Sequence, residues 1–145
     1  MKESKSYIPK TSRGGININK NLDLGKLPPQ ALDLEESVLG ALMLEKDALT
    51  DVVDILRPEN FYKDANKEIY QSIIDLFNNS EPVDLLTVTA QLKKNGKLDF
   101  VGGSYYVSQL TTRVNSASNI EYHSRIILEQ SIKRQLIEVS GEVQK

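Results

Sequence analysis

Two adjacent glycines, Gly102 and Gly103, stand before a run of helical spacing in "KLDFVGGSYYVSQL" (Lys97–Leu110). Glycines at a helix start can let backbone amides cradle a phosphate. A P-loop needs G-x-x-x-x-G-K-[ST], its lysine on phosphate and its hydroxyl on magnesium. Here no lysine follows the glycines, and no strand pattern precedes them. The dinucleotide pattern G-x-G-x-x-G after a strand is missing as well. The pair therefore reads as a structural turn, with a glycine at positive φ letting two helices approach. Ser104 is placed to cap the helix that follows.

Other chemistry-bearing residues are sparse. Cysteine is absent, which excludes a disulfide scaffold, a thiolate zinc site and a cysteine nucleophile. His123 is the single histidine, so a multi-histidine metal site and a histidine acid–base system are excluded too. Glu35, Glu36, Asp47, Asp51 and Asp54 are spaced closely enough to suggest acid–base pairs. Each lies on or beside a helix whose other face is apolar, where charge belongs on the solvent side. No buried partner is evident that would shift a pKa usefully. Phe61, Tyr62, Tyr70, Tyr105 and Tyr106 could stack bases, but core packing with polar tips fits their spacing better. No catalytic, cofactor or metal site is predicted.

The elements that would position these residues are helical throughout. Residues 1–30 carry six basic and two acidic side chains, net +4; residues 31–145 carry twelve and eighteen, net −6. Residues 1–27 read as a flexible basic tail, and the acidic body is a poor partner for duplex DNA. Asp33 and Glu36 form an acidic capping box before Val38, Leu39 and Leu42. Leu49, Val52, Val53 and Leu56 have the i, i+3, i+4, i+7 spacing of a second helix, which Pro58 stops. A third helix is predicted over residues 64–77, with Ile69, Tyr70, Ile73, Ile74 and Phe77 inward. Asp84 caps a fourth, with Leu85, Val88 and Leu92 inward, ending at Asn95-Gly96. A short fifth runs from Ser104 to about Leu110. The class is all-α, a compact domain of about five or six helices ending in a long one.

That last helix holds the most informative pattern. Ser118 and Glu121 form a capping box. Leu128, Ile132, Leu136, Val139 and Val143 follow at i, i+4, i+8, i+11 and i+15. Its second half, Ile132–Val143, extends roughly 18 Å at 1.5 Å per residue, further than the domain is expected to cover. An uncovered apolar stripe marks a partner surface. These five residues are the candidate oligomer or partner interface.

Four stretches carry a family resemblance. They are "LPPQALDLEESVLGALML" (Leu27–Leu44), with Pro28, Pro29, Glu35, Val38, Leu39 and Gly40, and "ENFYKDANKEIYQSI" (Glu59–Ile73), with Phe61, Tyr62, Ile69 and Tyr70. "PVDLLTVTAQLKKNGKLDFVGGSYYVSQL" (Pro82–Leu110) includes Tyr106, and "NSASNIEYHSRII" spans Asn115–Ile127. In order and spacing these resemble the N-terminal domain of bacterial DnaB-family replicative helicases over about four-fifths of the chain. The chain departs at Asp33-Leu34, where the family commonly has Glu-Ala, and at Asn66, often His; both swaps keep capping and packing intact. The resemblance implies a helical domain at 28–118 and a long helix at 119–145 that begins a helical hairpin. It further implies self-association as a dimer or higher, a hexameric ring in the parent, and a collar that recruits primase and in some lineages a loader. ATP and magnesium would belong to a motor domain beyond this segment, which itself would bind no cofactor and little or no DNA. A cytoplasmic place is expected, since no apolar run reaches a membrane span. The alternatives are the helicase-binding C-terminal domain of a primase, or a stand-alone helical interaction module.

Overall fold

The computed structural model describes residues 28–114 and 119–144. Among the described residues the α-helices are α1 (Leu32–Leu44), α2 (Asp64–Asn78), α3 (Leu85–Lys94), α4 (Leu98–Val101), α5 (Gly103–Thr112) and α6 (Ile120–Gln144). Two 3-10 turns, Ala48–Asp51 and Pro58–Asn60, join α1 to α2. No strand occurs among the described residues, and none of their helices is long and apolar enough to cross a membrane.

Helix α1 is the hub. Its run Val38–Met43 is buried at every position, as expected of a helix that is apolar all round. It packs against α2, α3, α5 and α6 together. Gly40 makes the α5 crossing possible: a Cβ there would overlap the Leu110 carbonyl oxygen and the Val114 side chain. The capping box expected at Asp33 and Glu36 does not form. The N-cap is Ala31, with no side-chain cap bond. Asp33 instead lies exposed in the first turn, favourable to the helix dipole, and Glu36 pairs with Arg113 at 3.2 Å.

The second predicted helix is a 3-10 turn followed by further turns. Leu49, Val52 and Leu56 are nevertheless buried as the spacing required. Thr50, Val52 and Val53 are β-branched, hence weak helix formers, and Pro58 disfavours helix in the residue before it. The segment thus buries its apolar set without completing a regular helix.

Helix α2 directs Ile69, Tyr70, Ile73 and Leu76 into the core. Phe77, expected inward, is 40% exposed. It occupies the last turn, where the chain closes a Schellman motif: Ser80 N donates to Phe77 O at 3.0 Å and Glu81 N to Leu76 O at 2.9 Å. Helix α3 begins and ends as the sequence suggests. Thr87 N donates to Asp84 Oδ1 at 2.9 Å and Asp84 N to Thr87 Oγ1 at 2.9 Å, and Gly96 follows the end at φ 72°.

Gly102 and Gly103 join α4 to α5 at φ 111° and 77°. Gly102 also serves as the N-cap of α5. Ser104 is therefore the second residue of that helix and not its cap. The Ser118 end of the capping box proposed for α6 lies outside the described residues. Glu121 bonds Arg125 at 3.0 Å.

Replacing Gly40 by Ala should lower the unfolding free energy by at least about 1–3 kcal/mol, because the α5 backbone cannot yield without moving its helix. Gly141→Ala, whose Cβ would meet nothing within 4 Å, should leave it unchanged or raise it by up to about 1 kcal/mol. Urea unfolding followed by circular dichroism measures both.

Candidate functional site

Glu35 sits one turn into α1, on the same face as Val38, Leu39 and Leu42. It is 1% exposed, not solvated as the pairing with Glu36 suggested. Its Oε2 accepts from Tyr62 N at 2.6 Å; its Oε1 accepts from Asn66 Nδ2 at 2.9 Å and from Lys63 N at 3.5 Å. Burial pushes its carboxyl pKa above the ordinary 4.5. Those amide donors and the positive charge of Arg134 oppose that shift without cancelling it. Asn66 is bonded at both ends, since its Oδ1 accepts from Tyr106 OH at 2.8 Å. The Lys63 ammonium lies 4.2 Å from the centre of the Tyr106 ring. Burial raises the Tyr106 phenol above its usual value, with Lys63 opposing.

The loop held by Glu35 is in turn grasped by α6. Asn60 Oδ1 accepts from Arg57 N at 2.7 Å, closing the 3-10 turn, and Asn60 Nδ2 donates to Ser131 Oγ at 3.1 Å. Arg134 donates from Nη2 to Asn60 O at 2.8 Å and from Nη1 to Pro29 O at 2.7 Å. Its guanidinium also stacks near the Tyr62 ring, 5.3 Å from the centroid. Phe61 turns inward against Tyr70, ring centres 4.9 Å apart, and Tyr70 OH donates to Leu56 O at 3.0 Å. One short loop thus links α1, α2 and α6. Beside it lies an open groove of about 710 Å³ lined by Pro28, Pro29, Tyr62, Arg134, Ile137 and Glu138.

Helix α6 presents two different faces. Toward the body it buries Ile120, Ser124, Ile127 and Ser131, with small hydroxyls where the helices must lie close. Roughly a third of a turn away runs the predicted apolar stripe. Leu128 is half-buried against the core. Ile132, Leu136 and Val139 are 46%, 63% and 57% exposed. The Val143 side chain lies outside the described residues. Ile137 is also exposed, on the opposite flank.

The remaining sequence candidates scatter. Val38, Leu39 and Phe61 are core residues. Tyr62 and Tyr106, grouped with them as core, are half-buried members of the Glu35 cluster. Gly102 and Gly103 stand in the α4–α5 turn. Asp47, Asp51 and Asp54 are exposed, and no three His, Asp or Glu among the described residues gather as a metal site. The sequence reading missed Glu35, Asn60, Asn66 and Arg134. Glu35 and Asn66 each carry a signal: Glu35 falls in the register of Val38, Leu39 and Leu42 on α1, and Asn66 in that of Ile69, Tyr70 and Ile73 on α2.

Glu35→Gln places an amide NH2 where only acceptors fit, and should cost about 1–3 kcal/mol. The sign of its pH dependence follows from the raised folded pKa. Glu35 binds more protons folded than unfolded in the window above 4.5, so its contribution is fully present below that value and falls as pH rises. Denaturation series of both proteins should therefore show the wild-type advantage shrinking from acidic toward neutral pH.

A family profile described as the DnaB-like helicase N terminal domain matches residues 27–129. The replicative DNA helicase DnaB of Rhodothermus marinus is 48% identical over 115 residues, 79% of this chain and 12% of that protein. That of Geobacillus stearothermophilus is 40% identical over 118 residues, 81% of this chain and 26% of that protein. The chain thus spans 12% to 26% of the length of these curated relatives. The crystal structure of the N-terminal domain of DnaB helicase from Mycobacterium tuberculosis superposes with TM-score 0.78 at 41% identity, covering 81% of this chain and 85% of that one. A structure described as a DnaB-like replicative helicase and its interactions with primase gives TM-score 0.69 at 26% identity, covering 78% of this chain and 27% of that one. Profile, relatives and fold agree: the chain belongs to the DnaB-like helicase N-terminal domain family.

Proposed function

We propose that this chain is the assembly and partner-docking domain of a replicative DNA helicase. It pairs with copies of itself through α6, and in a full-length hexamer it forms the collar beside an ATP- and magnesium-dependent motor in the cytoplasm. Residues 28–118 are the helical body, and 119–145 the first arm of a hairpin. The family membership favours this reading over a helicase-binding domain of a primase. Primase is a docking partner of the collar, supported by likeness to a helicase described with its primase interactions. A loader is a second candidate.

One observation carries the self-association: Ile132, Leu136 and Val139 lie exposed in a single stripe on a helix anchored at Arg134. Burying each such side chain against a second copy is worth roughly 1.5–3 kcal/mol. Sedimentation equilibrium over rising concentration should show reversible association of the chain. Leu136→Glu should shift it to monomer while changing stability by no more than about 0.5 kcal/mol, as befits a surface position. A wild-type chain that stays monomeric throughout overturns the reading.

A further inference from the structure

We infer that Glu35 is a remote positioning residue for the α6 stripe: through the Asn60–Lys63 loop and Arg134 it sets the angle at which α6 leaves the body. This rests on the assembly reading above for its consequence, though not for its geometry.

The path consists of directional bonds. Glu35 fixes the loop by accepting from Tyr62 N and Asn66 Nδ2 at 2.6 and 2.9 Å, with Lys63 N at 3.5 Å. The same loop offers α6 its distal grips. Asn60 Nδ2 holds Ser131 Oγ at 3.1 Å, and Asn60 O receives Arg134 Nη2 at 2.8 Å. Tyr62, whose N–H Glu35 holds, also supplies the ring near the Arg134 guanidinium. Asn66 and Tyr106 brace the arrangement from α2 and α5.

Arg134 is the last α6 side chain bonded to the body among the described residues. Beyond it Leu136, Ile137 and Val139 are exposed. The stretch from Arg134 to Gln144 is a lever of about 15 Å, so a tilt of about 10° moves its end by roughly 3 Å. Helices pack at about 8–10 Å between axes with side chains interlocked. A displacement of that size misaligns the stripe with a partner while leaving every stripe residue unchanged. The hydrogen bonds of Glu35 go to Tyr62, Lys63 and Asn66, none of them on α6. Its influence on the stripe runs through the loop and through its charge attraction to Arg134.

The chain contains no cysteine, so Lys94→Cys and Ser140→Cys, both at exposed positions, accept nitroxide labels specifically. Electron–electron double resonance, on labelled protein diluted with unlabelled, reads the distance from α3 to the α6 lever within one chain. Glu35→Gln and Arg134→Lys should each shift or broaden that distribution, and each should weaken self-association by about fivefold or more. The double variant should be no worse than Arg134→Lys alone, since both cut one path. Leu136→Glu should abolish association and leave the distance untouched. Unchanged distances in both Glu35→Gln and Arg134→Lys would overturn the inference and leave Glu35 a purely stabilising residue. Additive effects in the double variant would also overturn it, because Glu35 would then act by another route. A wild-type chain that never associates defeats the assembly reading alone, and the distance measurement still decides the clasp.

Discussion

A carboxylate taken out of water must be given hydrogen-bond donors, and that requirement organises the centre of this domain. Leaving Glu35 ionised and unpaired would cost several kcal/mol. Its donors are two backbone amides and one side-chain amide. Backbone donors are fixed by the chain path. Satisfying Glu35 therefore dictates where residues 60–63 run, and Asn66 must hold one orientation because Tyr106 already claims its oxygen. Phe61, between the bonded positions, is driven inward onto Tyr70. The apolar core that Val38, Leu39 and Leu42 form further along the same face of α1 requires no such geometry, since burial is non-directional.

The loop's Asn60 carbonyl and Tyr62 ring, with the Pro29 carbonyl ahead of α1, form a set that a planar, multi-donor cation can grasp together. Arg134 reaches Pro29 O and Asn60 O with separate nitrogens while lying near Tyr62. Lysine, a compact point charge, could not reproduce the fork. The body thus holds α6 by apolar contacts at Ile120 and Ile127, and by polar contacts at Ser131 and Arg134. The change of chemistry coincides with the place where the helix emerges. Upstream the face toward α1 is core; downstream the apolar residues have rotated off that face and are exposed.

How much of this the sequence discloses differs by element. Helix α3 is legible at both ends, because Asp84 and Thr87 form a local capping box and Asn95-Gly96 a local stop. The Gly102-Gly103 turn is legible for the same reason. Where tertiary demands override local ones, legibility fails. Asp33 had the type and spacing of a cap, yet the helix starts earlier. Residues 49–56 kept helical spacing but settled for tighter turns. Beside Glu36, Glu35 reads as a solvent-facing carboxylate, although its register with Val38, Leu39 and Leu42 argues for the inside. Asn66 reads as a neutral departure from the family pattern, but it is fully buried and bonded at both ends. Arg134 gave no signal, since both its acceptors are backbone carbonyls more than 70 positions away.

The apolar stripe of α6 shows why polar anchoring suits a presenting helix. Had Ser131 and Arg134 been large apolar residues, α6 would still adhere to the body. Dispersion and burial, however, tolerate sliding and rolling over ångströms. Hydrogen bonds of 2.7–3.1 Å weaken steeply when distance or angle departs from the optimum. A helix held by them is restrained in rotation as well as position. The association proposed for the stripe at Ile132, Leu136 and Val139 needs both restraints, because turning α6 by one residue, about 100°, would carry the stripe onto the body or away from a second copy. In the proposed assembly the stripe would supply adhesion but no orientation, and the bonds at Ser131 and Arg134 would supply orientation with little adhesion. Separating the two would let one surface associate while another fixes the direction in which it does so.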